Sequence, residues 1–287
     1  MSEQNESVME QWTEIIEPRT RLLDLRLREL WGYRDLVMMF VRRDFVANHK
    51  QTILGPLWFF IQPLLTTIMF VFIFGRVAGL STDGLPMMAF YLAGITIWTY
   101  FSEAFNKTAS VFRDNAQIFG KVYFPRLTMP VSIVISNLVR FLIQFSLFIA
   151  VWVYYLSTTD TLHPNNYLLL TPLLVIMMGL LALGFGMIFS AMTTKYRDLI
   201  FLLTFGIQLL MYATPVIYPL SSISEKYKMI ILANPMSAIV ETFRFGFLGS
   251  GSFSWGQLGY SFGFSVLVLL LGTIIFNRVE KSFTDTV

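Results

Sequence analysis

The sequence predicts an all-α polytopic membrane protein with six transmembrane helices, an N-terminal amphipathic interface helix and short re-entrant helices before the last span. Three observations predict it. Only 14% of the 287 residues are charged, whereas soluble domains carry about 25%. Hydrophobic residues make up 55% of the chain. Six apolar runs, near residues 53–75, 87–107, 127–156, 167–192, 199–220 and 257–277, each approach the ~20 residues that span about 30 Å of hydrocarbon.

The elements follow in order. Residues 1–32 read as a polar tail, rich in glutamate and arginine. Residues 33–50 fit an amphipathic helix lying at the membrane surface: Val37, Met38, Val41 and Phe45 share one side, and Asp35, Arg42, Arg43 and Lys50 the other. The domain 53–277 holds the six spans. Its third run is over-long, so Leu127 to Pro130 are expected in the interface and the rest to tilt. Ala182, Gly186 and Ser190 in the fourth run form a small face for close helix packing. The segment 221–254 is too apolar for a plain loop. Asn234-Pro235 reads as a turn or a helix start, Ile239, Val240, Phe243 and Phe247 give a helical apolar face, and Glu241 and Arg244 argue against a seventh span. Residues 278–287 are a short polar tail.

Orientation follows from lysine and arginine. Cations crowd the segment before the first run, the loop with Arg113, Lys121 and Arg126, the loop with Lys195 and Arg197, and the C-terminal tail. The alternate loops carry few. Both termini are therefore expected in the cytoplasm.

The composition also excludes chemistry. There is no cysteine and only His49 and His163, so thiolate sites and zinc catalysis drop out. No GxxxxGK[ST] loop is present, so the chain is not expected to bind ATP by a P-loop or to be an enzyme. No basic, aromatic-interleaved patch suggests nucleic acid. What remains suits a conduit. Phe59, Gln62, Thr66 and Phe70 recur at helical spacing in the first run, and Phe201, Phe205, Gln208 and Tyr212 in the fifth. Rings cover the apolar faces of sugars, and amides meet their hydroxyls. Packing between helices explains such stripes equally well. Arg140 sits near the middle of the third run, where an arginine costs about 2.5–3.5 kcal/mol on insertion scales. It must face water or protein, either lining a pathway or bonded to carbonyls or Glu103.

HKQTILGPLWFFIQPLLTTIMFVFIFG (49–75), KVYFPRLTMP (121–130), YRDL (196–199), NPMSAIVETFRFGFLG (234–249) and RVEKSF (278–283) resemble the permease subunit of ABC-2-type polysaccharide exporters, which move O-antigen, capsular polysaccharide or teichoic acid. The resemblance runs from about residue 30 to the end. It implies an inner-membrane homodimer bound to two separate ATPase subunits, which hold the ATP and Mg, and a lipid-linked glycan as substrate. It implies a coupling helix at about 108–120, with Val111, Phe112, Ile118 and Phe119 filling a cleft of the ATPase and Arg113, Asp114 and Lys121 at its rim. Arg42 and Arg43 would meet the substrate where it enters. Pro235, Glu241 and Arg244 would belong to an outer gate. Spans 1 and 5 would line the channel. A lipid or drug exporter of the same superfamily is the alternative, and a membrane-embedded enzyme of glycan or lipid assembly a further one.

Overall fold

A computed structural model describes residues 27–47, 53–119, 121, 124–196 and 198–284. Most of the expected polar tail, and Lys50 with the HKQT start of the first run, lie outside the described residues. Every regular element among the described residues is helical. In order these are α1 (Leu27–Gly32), α2 (Arg34–Ala47), α3 (Trp58–Phe70), α4 (Met87–Ala109), α5 (Val111–Asp114), α6 (Ala116–Phe119), α7 (Thr128–Thr158), α8 (Thr171–Lys195), α9 (Leu199–Tyr212), α10 (Glu225–Ala233), α11 (Pro235–Leu248) and α12 (Trp255–Thr284).

Among the described residues, four helical stretches are long and apolar enough to cross a membrane: Gly55–Val77, Thr128–Thr158, Asn166–Lys195 and Trp255–Arg278. The sequence led us to expect six. The second expected run forms α4, which is long enough at 23 residues, but Glu103, Asn106 and Lys107 lower its apolarity. Sixteen of its residues are buried, because α3, α7, α8, α9 and α11 all pack against it. The fifth run departs further. Its helix ends at Tyr212, after 14 residues and about 21 Å at 1.5 Å per residue. The chain from Thr214 to Ile217 is buried without being helical. The C-terminal tail expected at 278–287 is also different, since α12 continues to Thr284.

Local causes are legible at several ends. Pro63 lies inside α3 and cannot donate its backbone bond. The helix then widens to a π-helical stretch over Val71–Val77. Asn234 caps α11 by accepting from the Met236 amide, with Pro235 in the first turn where no amide is needed. Gly249 ends α11 at φ +76°, and a Cβ there would strike His163.

α8 runs closely along α12 on one side and α4 on the other. A Cβ on Gly272 would collide with the carbonyl oxygen of Gly184, and one on Gly184 would lie 2.7 Å from the Leu269 amide nitrogen. The Ala182–Gly186–Ser190 face behaves as expected from its small residues: Gly186 abuts Thr108 of α4. Gly272→Val should therefore force α8 and α12 apart. We expect a loss of roughly 1–3 kcal/mol or more, read as a lowered melting temperature in detergent, with Gly272→Ala in between. An unchanged melt would mean that the two backbones do not touch.

α11 is enclosed more completely than its neighbours. Thirteen of its 14 residues are buried. Phe243 and Phe247 meet Phe145 and Phe148 of α7, and the Trp152 indole donates to the Phe247 carbonyl at 2.7 Å. That burial accounts for the apolar composition of 234–249.

Candidate translocation and coupling sites

The stripe in the first run divides. Phe59 lies 6.0 Å from the Phe45 ring of α2, and the Arg140 guanidinium stands 5.4 Å from its centroid. Gln62 is exposed, and the Thr66 hydroxyl donates back to the Gln62 carbonyl. Phe70 turns away, edge-on to Phe74 and Tyr91 against the main core. The α9 stripe stays together. Phe201, Phe205 and Tyr212 are 79%, 59% and 47% exposed, and Gln208 is exposed beside them. Among the described residues this aromatic and amide stripe is uncovered, as are Leu202 and Leu209 on the same helix.

Arg140 bonds to Glu103, one of the partners weighed for it. Its Nη1 donates to Glu103 Oε2 at 2.8 Å, and Lys107 Nζ approaches the same oxygen at 3.6 Å. The pair also lines a cavity of about 210 Å³ between α3, α4 and α7. Gln62, Asn137 and Gln144 line it as well. The pair cancels charge where a lone arginine would be costly.

At the α5–α6 end, the aromatic residues expected to face a partner point inward. Val111 is fully buried, and Phe112 and Phe119 are 2% and 9% exposed. Phe112 stacks on Phe276 of α12 with centroids 4.7 Å apart, and Phe119 stacks on Phe124, which contacts Phe40 of α2. Ile118 packs at the edge of the same cluster. In the chain by itself these side chains hold this cluster together and face inward. The physical reason is that two four-residue helical turns cannot be stable alone, so they dock their apolar face on the bundle. The exposed face is Arg113, Asp114, Ala116, Gln117 and Lys121. Arg113 Nε donates to Asp114 Oδ1 at 2.8 Å, and the Ser110 hydroxyl donates to Asp114 Oδ2.

Arg42 is exposed on α2. Arg43 is engaged: it pairs with Asp44 at 2.7 Å, reaches Asn115 Oδ1 and stands 4.9 Å from the Phe40 ring centroid. It thus ties α2 to the turn between α5 and α6. Met38, Met39 and Val46 are exposed on α2, while Val37, Phe40 and Val41 are buried against the bundle. Met38 therefore does not share the packed face on which the sequence put it.

At the opposite end, Glu241 and Arg244 are each 1% exposed. Arg244 donates to the carbonyls of Pro215 and Val216, and to that of Tyr218 at 3.4 Å. Its guanidinium lies 3.8 Å from the Phe90 ring centroid, and Glu241 Oε1 is 3.8 Å away. Glu241 Oε2 accepts from the Ser252 amide and hydroxyl. Pro235 is buried, and its carbonyl accepts from Ser261 of α12. All three are buried and bonded to neighbouring backbone or side chains. Gly94 makes the clamp possible, because a Cβ there would lie 2.7 Å from the Val216 oxygen and 2.8 Å from the guanidinium.

The profile of a family described as ABC-2 type transporter matches residues 35–248. The chain belongs to that family. Among curated relatives, an O-antigen export system permease protein RfbA of Klebsiella pneumoniae is 27% identical over 92% of this chain and 99% of its own length. A protein of the same name from Myxococcus xanthus is 28% identical over 91% and 98%. The polysialic acid transport protein KpsM of Escherichia coli is 24% identical over 80% and 87%. As an ABC-2 permease the chain is a transmembrane subunit and not an ATPase.

Sequence reasoning found Arg140 and weighed Glu103 as its partner, but it missed Trp58, Thr99, Tyr100 and Phe141, which complete the cavity. It also missed Phe276 as the seat of Phe112 in this ABC-2 permease. No local signal distinguishes Phe276 from the other apolar residues of α12, so only the fold reveals it.

Proposed function

We propose that this chain is the transmembrane subunit of an ATP-driven exporter that moves a lipid-linked, O-antigen-like polysaccharide out of the cytoplasm. The observation that carries this reading is the uncovered face of α9, where Phe201, Phe205, Gln208 and Tyr212 stand open along one side. Such a face is unsuited to lipid because of its amide, and well suited to a glycan path shared with a second copy. Two copies form the working permease in a bacterial inner membrane, among its lipids. Each crosses six times, with both termini cytoplasmic. α4 is sheathed by the other helices, and α9 with its unwound continuation makes the fifth crossing. Non-helical backbone at that depth is tolerable only where protein satisfies it, as Arg244 does. α10 and α11 then form the re-entrant outer segment.

Each copy engages one separate ATPase, which carries the ATP and Mg. The contact is the exposed α5–α6 face around Arg113, Asp114, Gln117 and Lys121. Arg42, exposed at the α2 surface, meets the anionic linkage of the incoming substrate, since an arginine fork suits phosphate oxygens. Arg43 holds α2 against the coupling turn beside it.

The test is co-purification of an ABC ATPase co-expressed with this permease, alongside surface display of the glycan. Wild type should retain the ATPase and export. Gln117→Arg should lose both, at unchanged melting temperature, because Gln117 is exposed. If wild type retains no ATPase under any condition, the exporter reading is wrong.

A further inference from the structure

The recess between α3, α4 and α7 carries more positive charge than negative. Arg140 Nη1 binds Glu103 Oε2 at 2.8 Å, and Lys107 Nζ stands 3.6 Å from the same oxygen. Two cations share one carboxylate. The next carboxylate towards Lys107, Asp44, is itself paired with Arg43 at 2.7 Å, so the surplus of one positive charge stands. The Arg140 side chain is 14% exposed, and its remaining N–H groups carry no hydrogen bond to the described residues. The side-chain amides of Gln62 and Gln144 line the recess without a partner among the described residues, and Thr99 adds a hydroxyl. Spare donors around a surplus cation select an occupant that accepts hydrogen bonds and bears negative charge. Phosphate oxygens do both.

Depth and surroundings select its source. Trp152, Tyr154 and Tyr155 of α7 suit the outer interface of the bilayer. About 20 residues back, or ~30 Å of hydrocarbon, lies Ile135. Arg140 is therefore near the opposite boundary, within reach of headgroup phosphates by snorkelling. Under the orientation proposed above, this is the cytoplasmic leaflet. Trp58, 46% exposed, stands at the mouth as an interfacial aromatic. From Gln62 an exposed apolar stripe of Leu65, Met69 and Phe72 continues along the same side of α3 and its extension. A free phosphate has no use for that stripe, whereas acyl chains do.

We propose that the recess binds the phosphate of an anionic phospholipid, with Arg140 and Gln62 donating to its oxygens and its acyl chains lying on Leu65, Met69 and Phe72. The lipid is a component of the bilayer and not the exported molecule, whose proposed path is the α9 stripe. No residue of α9 lines the recess. A headgroup of net negative charge is preferred over a zwitterion, because choline brings a cation to a place that already has one to spare. Such a lipid braces α3, whose buried residues are Pro63 and Thr67 alone, against α4 and α7.

Trp58 supplies the probe. The permease–ATPase complex is placed in phosphatidylcholine nanodiscs that contain phosphatidylglycerol or phosphatidylcholine with brominated chains, at equal mole fraction. Bromine quenches tryptophan on contact. The Trp58 share of the emission is the difference between each protein and the same protein carrying Trp58→Phe. We expect brominated phosphatidylglycerol to quench that share several-fold more than brominated phosphatidylcholine. Gln62→Glu, at an exposed position, and Arg140→Gln, which leaves Glu103 to Lys107, should each remove the preference. Ser157→Glu makes the same change of charge at an exposed site near the outer end of α7 and should keep it. Equal quenching by the two lipids in wild type overturns the proposal. So does a preference that survives both Gln62→Glu and Arg140→Gln, or one that Ser157→Glu also removes. If inorganic phosphate abolishes the preference and chloride of the same ionic strength does not, the recess takes free phosphate and the lipid is wrong. The quenching is read without ATP or glycan. Its failure beside intact export therefore sinks the lipid site alone, and failed export beside intact quenching sinks the exporter reading alone.

Discussion

Arg244→Ala should unfold the end of the bundle opposite α5–α6, with a loss of about 3–5 kcal/mol, the cost of removing one partner from a buried charged network. Stabilities of folded domains are only ~5–15 kcal/mol, so the purified variant should melt far below wild type or fail to accumulate. The reasoning starts from the backbone. Once α9 ends at Tyr212, the carbonyls of Pro215, Val216 and Tyr218 have no helical partners of the usual kind, and Arg244 supplies donors to all three. Removing the guanidinium leaves these oxygens facing Phe90 and Gly94 inside the core. It also strands the Glu241 carboxylate, whose Oε1 has no hydrogen bond and lies 3.8 Å from the guanidinium.

Arg244→Lys is the informative companion. Lysine keeps the charge but cannot present a planar fork to two adjacent carbonyls, so it should rescue little of the loss. Thermal melting by scanning fluorimetry, with expression yield, reads both variants. If Arg244→Ala melts with wild type, the unwound segment is held by something else. If Arg244→Lys restores full stability, charge and not geometry is what matters there.

Much of the fold was legible because the bilayer acts as a solvent with a simple rule. Apolar runs near 20 residues mark helices, and five of the six expected runs became helices of about that length or longer. The fifth was misread because its composition stays apolar to residue 220, while the residue that stabilises its break, Arg244, lies 24 positions further on. Nothing local to 199–220 records that dependence. The same holds for the cavity. Gln62 was read as part of a stripe and Glu103 as a possible partner of Arg140, yet the convergence of all three is a property of how α3, α4 and α7 pack. At α5–α6 the apolar residues were expected to meet a partner, and in the chain by itself they pack inward. Apolar side chains on a short helix show that something covers them, and they do not say whether the cover is another protein or the chain's own α12.

That last ambiguity has a decisive consequence for coupling. Phe112 is 2% exposed and stacks on Phe276 of α12 at 4.7 Å and 20°. It also meets Phe119, from which Phe124 and then Phe40 of α2 continue the cluster. Under the proposed arrangement, a push on the exposed face at Arg113 and Gln117 reaches α12 through Phe112 and α2 through Phe119. Phe112→Ala removes the first link and leaves the exposed face intact. A buried phenylalanine cut to alanine costs about 3–5 kcal/mol, so the variant should melt lower. It should still retain the ATPase. ATP-dependent export should fall about tenfold or more, the effect of a coupling loss of about 1.4 kcal/mol. Phe112→Leu, which keeps most of the volume, should restore most of the melting temperature and of the export. Gln117→Arg is the mirror case, with stability kept and docking lost. The opposite pattern for Phe112→Ala, with an unchanged melt and a lost ATPase, would make Phe112 a docking residue after all. The stack on Phe276 would then be the resting position of a side chain that swings out to meet its partner.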